Sequence, residues 1–204
     1  MQAAWETWEG FWVAGRRRGA VRRVFDDGLL TTRVGFLDAS GTPFASESLV
    51  RLSDDGTTWQ AFRYRQEPGS VSAGARRAEA GLGPDTLPAS GEHLLVALLE
   101  ESGRDRTAYL RVDEGCPDEP AAPAEAVRAG TEPVELPDGR SVTAERIDIV
   151  AGGVRVASHW LHAGRAVRSA WAGALAFACA DEGEALEGLD DGLRAFLQDG
   201  FGAD

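Results

Sequence analysis

The sequence lacks two residue types entirely. Among its 204 residues there is no lysine and no asparagine, so all 21 basic residues are arginine. Isoleucine occurs only at Ile147 and Ile149. Because the codons of these three residue types are rich in A and T, their joint scarcity indicates a GC-rich bacterial genome. We therefore infer no guanidinium-specific function from the arginine content.

Cysteine and histidine are too few and too widely spaced for a metal site. Cys116 and Cys179 lie far apart, and in a reducing compartment we expect both to be free thiols. His159 and His162 form an H-x-x-H pair, but the segment reads as a strand, which sends positions i and i+3 to opposite faces. His93 is the only other histidine. The sequence therefore predicts no metal site.

Motifs that carry catalysis are also missing. There is no G-x-S-x-G motif, and without lysine there is no phosphate-binding P-loop. Paired acids such as Asp54-Asp55 stand in turns, where aspartate is favoured for backbone reasons alone. We therefore expect no catalytic residues and no cofactor, and we expect that the protein is not an enzyme.

The chain also has no long hydrophobic run. Its longest apolar stretch, 170–180, is too short to span a bilayer, and the acidic N-terminal segment does not resemble a signal peptide. The net charge of −12 repels nucleic acids and anionic membranes. We therefore expect a cytoplasmic protein that inserts into no membrane and binds no nucleic acid.

One local exception to the acidic charge is a basic run, Arg16 to Arg23, in which five of eight residues are arginine. Such a run in an acidic protein is typical of a solvated hairpin paired with nearby carboxylates such as Asp26 and Asp27. A site for an anionic partner is the alternative.

Glycine, by contrast, is abundant and marks turns between short alternating segments. The pattern predicts one domain, 1–204, with meanders 11–66 and 131–179 joined by an irregular segment, 67–130, that contains one helix and one strand. The predicted strands are 11–16, 20–26, 29–38, 43–53, 57–66, 106–113, 131–136, 140–151, 153–162 and 165–179, the last with a bulge at Gly173. The fold class is therefore mainly β with helices.

Three segments have helical features. Trp5, Trp8 and Trp12 have the spacing of a helical stripe and predict a short helix on the sheet. Ser90 can cap a buried helix that runs to Leu99. The C-terminal segment 184–198 spaces its apolar residues as an amphipathic helix.

The late hairpin resembles part of a known family. The segments Glu135-Leu-Pro137-Asp-Gly139-Arg and Trp160-Leu-His162-Ala-Gly164-Arg-Ala-Val167 are similar to those of lipoprotein carriers, the half-barrel β-clam proteins related to lipoprotein-localisation factors. The resemblance implies a strongly curved antiparallel sheet wrapped around one or two helices. It also implies an apolar concave face that accepts a lipid.

We therefore expect a binding protein for a hydrophobic or lipid-like small molecule. Aromatic residues on the predicted sheet faces support this, because such residues are frequent in apolar pockets. The candidate ligand-binding residues are Trp160 and Trp171 as walls, Arg63 as a polar anchor at the rim, and Trp59 and Phe62.

Two other functions remain open. The N-terminal tryptophans or the C-terminal helix could dock a protein partner or a second copy of the chain. An enzyme of unrecognised type requires that acidic residues and His159 meet in a cleft.

Overall fold

The computed structural model describes residues 4–202, without the side chain of Glu101. Residues 1–3 and 203–204 of the predicted domain therefore lie outside the described residues. One sheet contains thirteen strands. They are β1 (Trp5–Val13), β2 (Arg16–Asp26), β3 (Leu29–Leu37), β4 (Pro43–Leu52), β5 (Trp59–Glu67), β6 (Val71–Arg76), β7 (Thr86–Pro88), β8 (Arg106–Val112), β9 (Ala122–Glu135), β10 (Ser141–Ala151), β11 (Val154–His162), β12 (Arg165–Trp171) and β13 (Ala174–Ala178).

The strand order explains how the two ends of the chain meet. From edge to edge the order is β6-β5-β4-β3-β2-β1-β13-β12-β11-β10-β9-β8-β7. All the pairs are antiparallel except β7–β8, and the β1–β13 pair joins the N-terminal to the C-terminal meander. The sheet curves so strongly that strands from both meanders share one interior core. The predicted fold class, a mainly β protein with a curved sheet and helices packed on it, is confirmed.

Helix α1 (Glu92–Ser102) lies on the concave face of this sheet. Its Val96 and Leu99 are buried in the same core as Leu30 and Trp59 of one meander and Ile147 of the other. The helix ends at Gly103, which adopts the left-handed conformation (φ 63°) that glycine tolerates best.

Helices α2 (Glu182–Leu186) and α3 (Asp191–Asp199) cover the opposite, convex face over β1–β4. Trp8 and Ala20 pack there against Leu186 and Leu197. Gly35 allows the close approach of α3, since a Cβ at that position would lie 3.3 Å from Leu197 Cγ. Asp181 and Asp190 cap the two helices by accepting a backbone N–H.

The N-terminal helix prediction is wrong. Residues 5–13 form a strand, so the three tryptophans do not share one face. Trp5 stacks on Phe25 inside the sheet, with ring centroids 6.0 Å apart, while Trp8 lies under the outer helices. The i, i+3, i+7 spacing arose because β1 has both of its faces buried, so aromatic residues occur at odd and even positions alike.

Two segments that we predicted as irregular contain strands. Residues 71–76 form the edge strand β6, and residues 122–135 form β9 although Pro123 and Pro133 lie in it. β8 pairs with β9 only over residues 122–127, so Pro133 lies where β9 has no neighbour on that side. A proline without an N–H is tolerated at such an open edge.

Two further predictions were wrong in their boundaries. The predicted strand 165–179 is a hairpin, β12 and β13, with its turn at Ala172 and Gly173. The predicted helix 184–198 is divided into α2 and α3 at Glu187–Asp190.

The described part of the chain contains no helix long and apolar enough to cross a membrane.

Candidate functional site

The concave face of the sheet is only partly filled by α1. Among the described residues, two hollows on this face stand out. The first, here called the polar cavity, has a volume of about 390 Å³ and is lined by several ionisable side chains, including His93, His159 and Glu114. The second, here called the apolar cleft, has a volume of about 1030 Å³ and has three leucines of α1 along one wall. They are lined by different residues and lie on different parts of α1. Both volumes fall in or near the usual range for small-molecule sites, roughly 300–1,000 Å³.

Two ion pairs lie at the wall of the polar cavity. Arg23 of β2 forms an ion pair with the buried Glu9 of β1. Arg111 of β8 bonds through Nε to Glu92 Oε1 at 2.8 Å, and Tyr109 donates to the same oxygen at 2.6 Å. Burial raises the pKa of both carboxyl groups, and the neighbouring guanidinium opposes that rise in each case.

Two histidines meet at this cavity. His93 of α1 and His159 of β11 lie edge to face, with ring centroids 5.1 Å apart. His159 Nδ1 is 3.0 Å from Ser169 Oγ on β12. Burial, together with the nearby positive charge of Arg23, lowers the pKa of His159 to about 3. Burial also places the pKa of His93 well below 6.5. Both imidazoles are therefore neutral at neutral pH.

Glu114, which follows β8, faces the same cavity. Its carboxylate accepts the backbone N–H of Ser90 at 3.0 Å and the Ser90 hydroxyl at 2.5 Å. It thereby binds the turn of 3-10 helix, Ala89–Gly91, that precedes α1. Ser90 does not cap α1 as predicted, because its hydroxyl is already donated to Glu114 and Gly91 occupies the cap position. Burial raises the pKa of Glu114 to about 7.

The apolar cleft lies where α1 faces the other end of the curved sheet. Leu94, Leu95 and Leu98 of the helix line one wall, and Leu98 is 44% exposed. The facing wall includes Phe25, Leu52, Trp59, Leu87 and Tyr109. The rim carries four aspartates and one arginine, namely Asp27, Asp54, Asp55, Asp85 and Arg51. An uncharged or cationic ligand suits this rim better than an anion does.

The structure separates the five residues predicted to bind a ligand. Trp171 lines the polar cavity, and Trp59 lines the apolar cleft. Phe62 is 2% exposed and packs in the interior core beside Trp59, with ring centroids 5.7 Å apart. Trp59 and Phe62 share a face although their spacing is odd, because a bulge at Trp59 and Gln60 shifts the register.

Trp160 and Arg63 lie on the convex face and reach neither hollow. Trp160 packs against Val134 and Ala144 in a small outer cluster, with the Arg168 guanidinium 4.3 Å from its ring centroid. Arg63 is exposed between Phe62 and Tyr64, which point inward. The expected pairing of Trp160 with Trp171 as two walls of one pocket is therefore not found.

The basic run does pair with nearby carboxylates, but with Glu6 and Glu9 instead of Asp26 and Asp27, and it also reaches the outer helices. Arg17 donates to the carbonyl oxygens of Glu184 and Ala185 in α2, and Arg22 donates to those of Leu197 and Gln198 in α3. Arg23 points inward to Glu9. None of these three arginines pairs with Asp26 or Asp27 in the part of the chain that the structure describes.

His159 and His162 point to opposite sides of β11, since His159 is buried in the interior and His162 is exposed. Within residues 4–202, no three His, Cys, Asp or Glu side chains are grouped so that they could hold a metal ion. Sequence reasoning missed the polar cavity because its residues come from seven separate segments. Only the unusual density of polar residues inside alternating strands, such as Arg23 and Ser48, could have indicated it.

No protein-family model matches the chain, and no curated protein matches it either. A solved structure does resemble it: the crystal structure of a β-barrel-like protein of a domain of unknown function, DUF1849, from Brucella abortus. The two chains are 10% identical, the TM-score is 0.51, and the match covers 85% of this chain and 94% of the other. At this identity the likeness concerns the fold alone.

Proposed function

We propose that this protein is a non-enzymatic, cytoplasmic binding protein that holds a hydrophobic, lipid-like ligand in the apolar cleft between α1 and the sheet. The cleft itself is the observation that carries the proposal. Three leucines of α1 face Phe25, Leu52 and Trp59 across about 1030 Å³, and Leu98 remains 44% exposed. Covering such apolar surface with a ligand removes it from water, which is favourable.

The resemblance to lipoprotein carriers is compatible with this function, because a curved sheet with an apolar hollow against a helix is what it implies. The aspartates of the rim make an uncharged lipid a better ligand than a fatty-acid anion, since like charges would face each other there. The free thiols of Cys116 and Cys179 suit a reducing compartment.

The two exposed large apolar residues in the described part of the chain provide a matched test. Leu98 lies in the cleft, and Val154, which is 65% exposed, lies in β11 outside both hollows. We expect monoolein to form a complex with the wild-type protein and with Val154→Asp in native mass spectrometry. Leu98→Asp should weaken the complex at least about tenfold, because it places a charge against the chain of the lipid.

If both variants bound monoolein equally well, the cleft would not be the binding site. If the wild-type protein formed no complex with monoolein, the proposed lipid-binding function would be contradicted. Because both substituted residues are exposed, neither variant is expected to unfold the protein. Far-ultraviolet circular dichroism checks this directly.

Catalysis in the polar cavity is a second candidate function, because Glu92, Glu114 and His159 do converge there. Against it, Glu92 is held by Arg111 and Tyr109, and a histidine with a pKa of about 3 is a poor base at neutral pH. Glu114 is the candidate base. A hydrolytic activity that is found in the purified protein and lost in Glu114→Gln would favour this alternative.

Docking through the N-terminal tryptophans or the C-terminal helix finds less support. Trp8 is covered by the outer helices, and the apolar face of α3 packs on β2, β3 and β4. These surfaces are therefore already used within the fold.

A further inference from the structure

We propose that the polar cavity is a second binding site, separate from the cleft, and that it takes a small uncharged molecule that carries hydrogen-bond donors and acceptors beside an apolar group. The proposal does not depend on lipid binding in the cleft, since the two hollows have different linings.

The first observation is the charge balance at the wall of the cavity. Arg23 is paired with Glu9, and Arg111 with Glu92. His93 and His159 are neutral at neutral pH, and Glu114 is close to half protonated there. An anionic ligand would therefore leave water without finding an unpaired positive charge, which is costly. A cationic ligand would meet only the partly ionised Glu114, whose oxygens already accept two hydrogen bonds from Ser90. An uncharged ligand avoids that cost.

The second observation is that a polar atom at the wall lacks a protein partner. His159 is 5% exposed, and only its Nδ1 has a hydrogen-bond partner within residues 4–202, so that Nε2 is left open. Buried polar groups are normally hydrogen-bonded. A ligand with hydrogen-bonding groups would supply the partner that His159 Nε2 lacks.

The remaining wall is apolar and gives the ligand a place for a ring or a short chain. Val34, Val156, Ala157 and Trp171 face the cavity beside the polar groups. The cavity volume of about 390 Å³ suits a molecule smaller than a lipid. The chemistry of the site is thus that of a small amide or alcohol with an apolar body.

Isosteric probes can separate charge from shape. Benzamide, benzoate and benzamidine share one ring and one planar head but are neutral, negative and positive. Binding is followed through the indole N–H signals of ¹⁵N-labelled tryptophan, because Trp171 reports on the polar cavity and Trp59 on the cleft. We expect benzamide to shift the Trp171 signal at millimolar concentration. Benzoate and benzamidine should bind at least about tenfold more weakly.

Variants of the Glu92–Arg111 pair then reverse this preference. Glu92→Gln keeps the shape of the side chain but leaves the Arg111 charge unpaired, so benzoate should become the tightest of the three ligands. Arg111→Gln leaves Glu92 unpaired and should favour benzamidine. Glu135→Gln, an exposed position on β9 away from the cavity, should leave the wild-type order unchanged.

Three results of these binding experiments would overturn the proposal. Equal binding of the three probes to the wild-type protein, or a preference that stays the same in both pair variants, would overturn the proposal. So would the absence of any shift at Trp171. Failure of monoolein to bind concerns only the cleft and leaves this result unaffected. If Glu92→Gln does not fold, Arg111→Gln provides the same test with the opposite charge.

Discussion

Glu114 is a buried carboxyl group that holds the turn before α1. It is 5% exposed, and the Ser90 N–H and hydroxyl are its hydrogen-bond donors. Glu92 and Arg111 face it from α1 and β8 and act in opposite directions on its pKa. Because burial outweighs the hydrogen bonds, the protonated form of Glu114 is favoured in the folded protein.

Because of the raised pKa of Glu114, the free energy of unfolding should depend on pH, and the direction of the change follows from that shift. The pKa of Glu114 is about 7 in the folded protein and 4.5 ordinarily, so folding favours the protonated group. Its contribution to stability is full below 4.5 and is lost as the pH rises to about 7. The loss amounts to about 3 kcal/mol at most. We expect the unfolding free energy of the wild-type protein, relative to Glu114→Gln, to fall across that range.

Urea unfolding at a series of pH values measures this difference. Comparison with Glu114→Gln is needed because the lowered pKa values of His93 and His159 act in the opposite direction. Both make the protein more stable as the pH rises toward 6.5, and for His159 this gain begins at about pH 3. If the free energy of unfolding changed with pH in the same way in both proteins, Glu114 would not titrate between about pH 4.5 and 7.

The interior polar residues also show what could not be predicted at the scale of single residues. The sequence indicates that Arg23 lies in an alternating strand, but not that Glu9 of the neighbouring strand neutralises it. That contact depends on the register of β1 against β2, which pairs Glu9 with Val21 and brings the two side chains to one face. Register is a tertiary property here, and no local residue pattern reports it.

At the scale of secondary-structure elements, α3 is held by arginines that reach its C-terminal carbonyl groups. Arg22 and Arg33 both donate to the carbonyl oxygens of Leu197 and Gln198, and Arg33 also pairs with Glu47 at 2.6 Å. The last carbonyl groups of a helix lack intrahelical partners, and positive charge is favourable there. The basic run thus helps to attach the outer helices to the sheet.

Removal of the hydrogen bonds between Arg33 and the end of α3 should destabilise the protein. We expect Arg33→Gln to lower the free energy of unfolding by about 2 kcal/mol, since charged hydrogen bonds to half-buried groups are lost. Arg63→Gln is the matched control, because Arg63 is exposed on the convex face, and its effect should stay within about 0.5 kcal/mol. Urea denaturation compares the two, and an equal effect would contradict the assigned role of Arg33.

Most strands could be predicted, because alternation and glycine turns are local signals. The strands 29–37, 43–52 and 141–151 agree with prediction within a residue or two. The bulges could not be predicted. Those at Gln60, Val156 and Val167 each change which face the following residues occupy, and the one at Val167 separates Trp160 from Trp171. A bulge inserts one residue without a distinctive composition, which is why the face assignments failed there.

At the scale of the whole molecule, the β1–β13 pair makes one curved sheet from two meanders. Residues Glu9–Trp12 pair with Leu175–Ala178. This pairing leaves one interior for both meanders, with α1 inside and two helices outside. The sequence predicts amphipathic helices but not the face of the sheet that each one covers, because both faces carry apolar residues. The two hollows follow from that arrangement and were therefore not predictable in detail.

A crystal structure of the protein soaked with 1-bromododecane tests the central claim, that the interior of the sheet is hollow and open to apolar ligands. The account predicts an anomalous bromine peak in the cleft between Leu98 and Trp59. A cleft that is closed by the protein's own side chains, with bromine only on the outer surface, would contradict it.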